Sequence, residues 1–147
     1  MYTTIKYLSH LIALFVVFQA AVVVWGVAEE IRFQENNPGL ETPFPLGAMM
    51  HGMVGMLVIP AAALILLILA LIARKARLWA GLVLASVILQ VAVGLGSIIA
   101  SEYLGLVHGI NAFVLLAFAE LAAREAGKAE AATHPERQQH RQAQPVG

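Results

Sequence analysis

The chain has 147 residues, 60% of them hydrophobic and only 12% charged, with equal numbers of acidic and basic groups and no cysteine. A soluble domain carries about a quarter charged residues, so a soluble globular protein is excluded, and zero net charge gives no case for nucleic acid as a partner. The missing cysteines exclude disulfides, thiolate metal sites, covalent haem attachment and thiol catalysis.

The apolar residues fall into four blocks, 8–27, 46–73, 78–100 and 103–121. Each is near or above the ~20 residues a helix needs to cross ~30 Å of hydrocarbon. We therefore expect an all-α protein, an integral membrane four-helix up-down-up-down bundle built from two repeated hairpins and occupying residues 1–124. The first block has the outline of a secretory signal, with Lys6 ahead of it and Gly26-Val27-Ala28 before Glu29, but we read it as a retained helix. Between the first two helices, 29–45 reads as an outer loop carrying Glu29, Glu30, Glu35 and Glu41 against a single Arg32. Its Asn36-Asn37-Pro38-Gly39 is a turn signal. Pro60, inside the second helix, is expected to kink it.

Arg74, Lys75 and Arg77 separate helices two and three, and only Ser101-Glu102 separates three from four, which makes the last two antiparallel neighbours. With Lys6, Arg124 and Lys128, these basic residues place both termini in the cytoplasm of a multi-pass protein of the cell membrane. Residues 125–147 read as a cytoplasmic tail, partly helical and then disordered from Thr133 on, with His134 and His140 in its polar part.

The two halves repeat. Phe18-Gln19-Ala20-Ala21-Val22 answers Leu89-Gln90-Val91-Ala92-Val93, and His51-Gly52 answers His108-Gly109. Each hairpin thus has a glutamine in its first helix and a histidine near the start of its second. The two second helices point the same way, and each histidine lies about 7–8 Å below its helix start. On diagonal helices of a bundle, such side chains reach a common ligand across the core.

Two neutral imidazoles on opposite faces of an iron make a six-coordinate haem site of the electron-transfer type. Gly47 and Gly55 fall within about 40° of His51 on the helical wheel, and Ala112 lies one turn below His108, so small residues are expected to clear room beside the rings. Gln19, Gln90, Asn111 and Ser97 are candidate hydrogen-bond partners for the ring N–H groups, and Arg32 is a candidate partner for a haem propionate. Other readings compete. Each histidine could simply bond a neighbouring helix, or ligate the magnesium of a chlorophyll-type pigment. Copper has Met49, Met50, Met53 and Met56 in its favour, but Met49, Met53 and Met56 project from the face opposite His51. His10, without a repeat partner, reads as interfacial.

The segment Ile88-Leu89-Gln90-Val91-Ala92-Val93-Gly94-Leu95-Gly96, followed by His108-Gly109-Ile110-Asn111-Ala112-Phe113, resembles one four-helix half of the haem A synthase family. The hairpin arrangement before it does too, so the resemblance spans residues 5–124. It implies haem ligation by His51 and His108. The synthase pattern has a glutamate three residues before the first-half helix-two histidine, where this chain has Ala48, and many members carry a cysteine pair in the first outer loop. The sequence thus leads to a haem b-binding, bis-histidine cytochrome for electron transfer or haem handling. It would act beside other membrane redox subunits or as a homodimer. A half-size haem A synthase-like enzyme and a cofactor-free structural or assembly subunit are the alternatives.

Overall fold

A computed structural model describes residues 1–133; the polar tail expected from His134 onward lies outside the described residues. The chain forms four helices, α1 (Tyr2–Asn36), α2 (Leu46–Ala73), α3 (Arg77–Ile99) and α4 (Tyr103–Ala132), each long and apolar enough to cross a membrane. No strand occurs among the described residues. The helices pack in a ring, α1 against α2, α2 against α3, α3 against α4 and α4 back against α1, which leaves α2 and α4 on one diagonal.

Two helices run beyond their apolar blocks. The 29–36 stretch, expected as loop, continues α1, because Glu29-Glu30-Ile31-Arg32-Phe33-Gln34-Glu35 contains no glycine or proline and mostly good helix formers. The helix ends where the Asn36 and Asn37 side chains donate to the carbonyls of Arg32 and Phe33, at 2.7 and 3.0 Å. These bonds satisfy last-turn acceptors, and Gly39 then turns the chain with a φ of +82°. At the other end of the bundle α4 continues to Ala132, where Glu130 meets Lys6 at 3.8 Å and bonds Thr3.

Carboxylates on these extensions cap neighbouring helices. Glu29 Oε2 accepts from Gly47 N–H at the start of α2, and Glu125 Oε1 accepts from Ala76 N–H just before α3, both at 3.0 Å. Negative charge at a helix N-terminus is favourable. The second cap sits on strained backbone, since Arg74 and Ala76 are left-handed without being glycine, at a cost of roughly 1–2 kcal/mol each.

The core is built from small residues that let the helices approach closely, and its burial pattern reveals the repeat. Ile5, Ser9 and Ile12 precede Gln19 by the same intervals at which Ala76, Ala80 and Val83 precede Gln90, and all six are buried. The second helices follow suit with one difference. Buried Ile59, Ala63, Leu66 and Ala70 each lie one residue farther beyond His51 than buried Leu115, Ala119, Ala122 and Ala126 lie beyond His108. A π-helical turn, Val54–Val58, absorbs the extra residue, with Ile59 N–H reaching back to the Val54 carbonyl. Pro60 follows directly, and one wide turn ahead of it relieves crowding between its ring and the preceding carbonyls.

On α3 and α4, buried positions occupy only part of each helix, while α1 and α2 stay in contact toward their connection through Val22, Gly26 and Gly47. At the end carrying the α1–α2 and α3–α4 connections, no residue of α3 beyond Val87 and none of α4 before Asn111 is buried. On α2 the only buried residue before Ile59 is Gly47.

Candidate functional site

His51 and His108 meet across the diagonal where the packed core gives out. Their ring centroids are 5.9 Å apart with planes inclined by 55°, and both residues are half-buried. Each ring is anchored through Nδ1 to the first helix of its own hairpin. His51 Nδ1 lies 3.2 Å from the Gln19 carbonyl oxygen, and His108 Nδ1 lies 3.0 Å from the Gln90 carbonyl oxygen. A backbone carbonyl only accepts, so in both bonds Nδ1 carries the proton and donates. That tautomer leaves each Nε2 lone pair free, which is the usual arrangement of a metal-ligating histidine held by a carbonyl behind it.

The glutamines brace the same histidines a second time. Gln90 Nε2 donates to the His108 carbonyl at 2.9 Å, and its Oε1 accepts from Asn111 Nδ2 at 2.6 Å. Asn111 Nδ2 also donates to the Ser86 carbonyl at 2.9 Å. In the first half, the Gln19 carboxamide orients its nitrogen toward the His51 carbonyl at 3.1 Å and its oxygen toward Gly55 N–H at 3.0 Å. The donor supplied by the Asn111 side chain in one half is thus supplied in the other by the backbone of Gly55, within the π-helical turn. The carboxamide nitrogen of Gln19 also lies 2.7 Å from His51 Nδ1, so that ring nitrogen has two competing partners: a carbonyl to donate to and an amide to accept from. His108 Nδ1 is paired with the Gln90 carbonyl alone.

The expected small residues have different duties. Gly47 clears room for α1 rather than for the imidazole: a side chain there would collide with the Val22 carbonyl and the Gly26 backbone. Gly55 faces the Gln19 carboxamide. Ala112 is half-buried beside fully buried Asn111. Ser97 Oγ donates to the Gly94 carbonyl on its own helix, at 2.7 Å. Arg32 is exposed on the α1 extension. Met49, Met53 and Met56 are exposed on α2. His10 pairs with Glu120 at 3.1 Å, about 13 Å along α1 from Gln19.

One residue of the site has no counterpart among the sequence candidates. Gly94 lies against the Nδ1–Cε1 side of His108, where an added Cβ would sit 3.0 Å from Nδ1 and 3.1 Å from Cε1. The signal was present, since Gly94 lies one turn after Gln90. Its repeat equivalent is Val23, so His51 has no matching glycine to lie against. By contrast Gly52 and Gly109, which follow the two histidines, have nothing of the chain within 4 Å of an added Cβ.

Two imidazoles bound through Nε2 at about 2 Å on opposite sides of one metal place their ring centroids about 6 Å apart. The observed centroid separation, 5.9 Å with planes inclined by 55°, is of that order. The donors are neutral nitrogens without thiolate or carboxylate, which suits an iron whose other ligands come from a macrocycle. No cluster of three or more histidine and carboxylate groups able to hold a free metal ion occurs among the described residues. The shallow concavity of about 320 Å³ between the end of α1 and residues 42–48 includes neither histidine. The chain matches no protein-family model, no curated protein and no solved structure.

Proposed function

We propose that the chain is an integral membrane haem b-binding protein in which His51 and His108 are the two axial ligands, serving electron transfer or haem handling. The observation that carries this reading is the facing pair of imidazoles, 5.9 Å apart, each with Nδ1 on the carbonyl of its own glutamine.

Two further features support it. Around the pair, α3 beyond Val87 and α4 before Asn111 carry no buried residue, so those faces are not committed to packing within the chain. Gly52 and Gly109 sit in helix interiors where glycine costs roughly 0.5–1 kcal/mol relative to alanine, and the chain's own packing makes no use of their missing side chains. The likeness of residues 88–96 and 108–113 to haem A synthases points the same way.

Haem held by these two histidines would supply a one-electron carrier inside the bilayer. The protein's part would be to present two Nε2 lone pairs, with the Gln90 carbonyl fixing the His108 tautomer and the Gln19 carbonyl favouring the same one at His51. Basic residues at one end of the bundle favour cytoplasmic termini in the cell membrane. A partner redox subunit or a second copy would pass the electron.

The test is an absorbance spectrum of the purified protein in lipid nanodiscs with haem b, oxidised and reduced. Wild type is expected to give a reducible six-coordinate low-spin spectrum, and the double variant His51→Ala/His108→Ala to stay colourless. Wild-type haem content in the double variant overturns the assignment. Supplying haem O in the same preparation separates binding from synthase-like catalysis, which requires a formyl-haem product.

A further inference from the structure

The two histidines are related by the repeat but are not held alike. We infer that His108 is the fixed ligand and His51 the displaceable one, so that the site opens a single coordination position, always on the α2 side. This rests on the haem reading above and adds to it a direction and a ligand class: small neutral iron ligands such as carbon monoxide or imidazole.

Four observations carry it. His108 Nδ1 faces a single partner, the Gln90 carbonyl, whereas His51 Nδ1 faces both the Gln19 carbonyl and the Gln19 carboxamide. The Gln90 brace is locked by Asn111, which is itself buried and tied to the Ser86 carbonyl, whereas the Gln19 brace leans on backbone within a π-helical turn. The His108 ring lies against Gly94, while the equivalent position behind His51 is valine. Finally, His51 rides on a short segment, Leu46–Met53, bounded by Pro45 and the π-helical turn, and such turns interrupt the regular ladder and recur at functional sites.

Competition at His51 Nδ1 supplies the chemistry of release. When Nδ1 donates to the Gln19 carbonyl, Nε2 is a ligand. When Nδ1 instead accepts from the Gln19 carboxamide at 2.7 Å, the ring's one proton must sit on Nε2 and the lone pair is lost to the metal. Loss of the Nδ1 proton to water and protonation of Nε2 by water, which the half-buried ring can meet, with a small swing of the imidazole, would therefore remove the Nε2 lone pair without moving a helix. His108 has no such alternative.

The experiment compares haem titrations of wild type, His51→Ala and His108→Ala in nanodiscs. His51→Ala is expected to keep haem within about tenfold of wild-type affinity, with a five-coordinate ferrous form that binds carbon monoxide and is restored to six-coordination by added imidazole. His108→Ala is expected to lose about a hundredfold or more, beyond the effect typical of losing an outer partner. Equal losses, or the reverse order, overturn the inference while leaving the haem reading intact. Absence of haem from wild type overturns the reading itself. Because either variant could misfold, nitrogen-15 histidine spectra of the intact haem-free protein give an independent measure. His108 should be a single Nδ1–H tautomer and His51 a mixture that Gln19→Leu collapses to Nδ1–H. A single Nδ1–H tautomer for both in wild type refutes the inference.

Discussion

Replacing Gly94 by alanine tests whether the imidazole of His108 is held as the geometry says. The new Cβ would stand 3.0 Å from Nδ1 and 3.1 Å from Cε1, where ordinary contacts begin at about 3.5 Å, so the ring must retreat about half an ångström from α3. Its acceptor, the Gln90 carbonyl, lies one turn away on that same helix at 3.0 Å. The retreat stretches the bond toward about 3.5 Å, the edge of a hydrogen bond. Losing it costs about 1 kcal/mol, and crowding adds about 1 kcal/mol more. The gain from alanine in a helix offsets up to about 1 kcal/mol of that, so the net destabilisation is about 1 kcal/mol.

Haem affinity should suffer more than stability, by about 10–100-fold, because the tautomer of a ligand is no longer fixed. The control is Gly81→Ala on the same helix, where an added Cβ meets nothing within 4 Å; it should be neutral or slightly stabilising. Haem titration and denaturant unfolding in mixed micelles read both quantities. Wild-type haem affinity in Gly94→Ala refutes the reasoning.

Other perturbations address the frame. Gly47→Ala drives a side chain into the α1 backbone at Val22 and Gly26 and should cost about 2–3 kcal/mol in micellar unfolding; a neutral result would show that the crossing is looser than described. Asn111→Leu strips the partner from Gln90 Oε1 and should cost about 1–3 kcal/mol, together with a second histidine tautomer at His108 in nitrogen-15 spectra. Glu125→Ala uncaps Ala76 N–H, removing about 1 kcal/mol, and should speed tryptic cleavage after Arg74 and Lys75. Deleting Met56 removes the residue that the π-helical turn absorbs and should change stability by less than about 1 kcal/mol, whereas deleting Ile68 shifts the register of Ala70 and Ala73 and should cost several kcal/mol. Equal damage from both deletions would contradict the register argument.

Much of this was legible in the residues, and the rest was hidden for identifiable reasons. Hydropathy located the four helices because a bilayer demands long apolar runs, and the repeated glutamine and histidine brought out the two hairpins. The backbone carbonyls of both glutamines meet the ring nitrogens, and the Gln19 side chain reaches His51 as well, which residue type alone does not disclose. The helical wheel put Gly47 near His51 in angle but could not say that α1 occupies the same sector. Helix continuation through Glu29–Glu35 was masked by polarity, since apolar blocks mark the membrane's thickness and not the helix's length. The one-residue offset of α2 becomes visible only once buried positions are aligned outward from the histidines.

The repeat also has a consequence for how such a site can diverge. One hairpin carries half of everything needed: one imidazole, one carbonyl behind it and one carboxamide brace. Two copies of a single hairpin, paired about a two-fold axis, would form the same diagonal from a gene half as long, but every substitution would then appear on both sides at once. Joining the copies in one chain removes that constraint. Valine at position 23 with glycine at position 94, and an extra residue in α2 with none in α4, are differences that a covalent tandem can fix in one half while sparing the other.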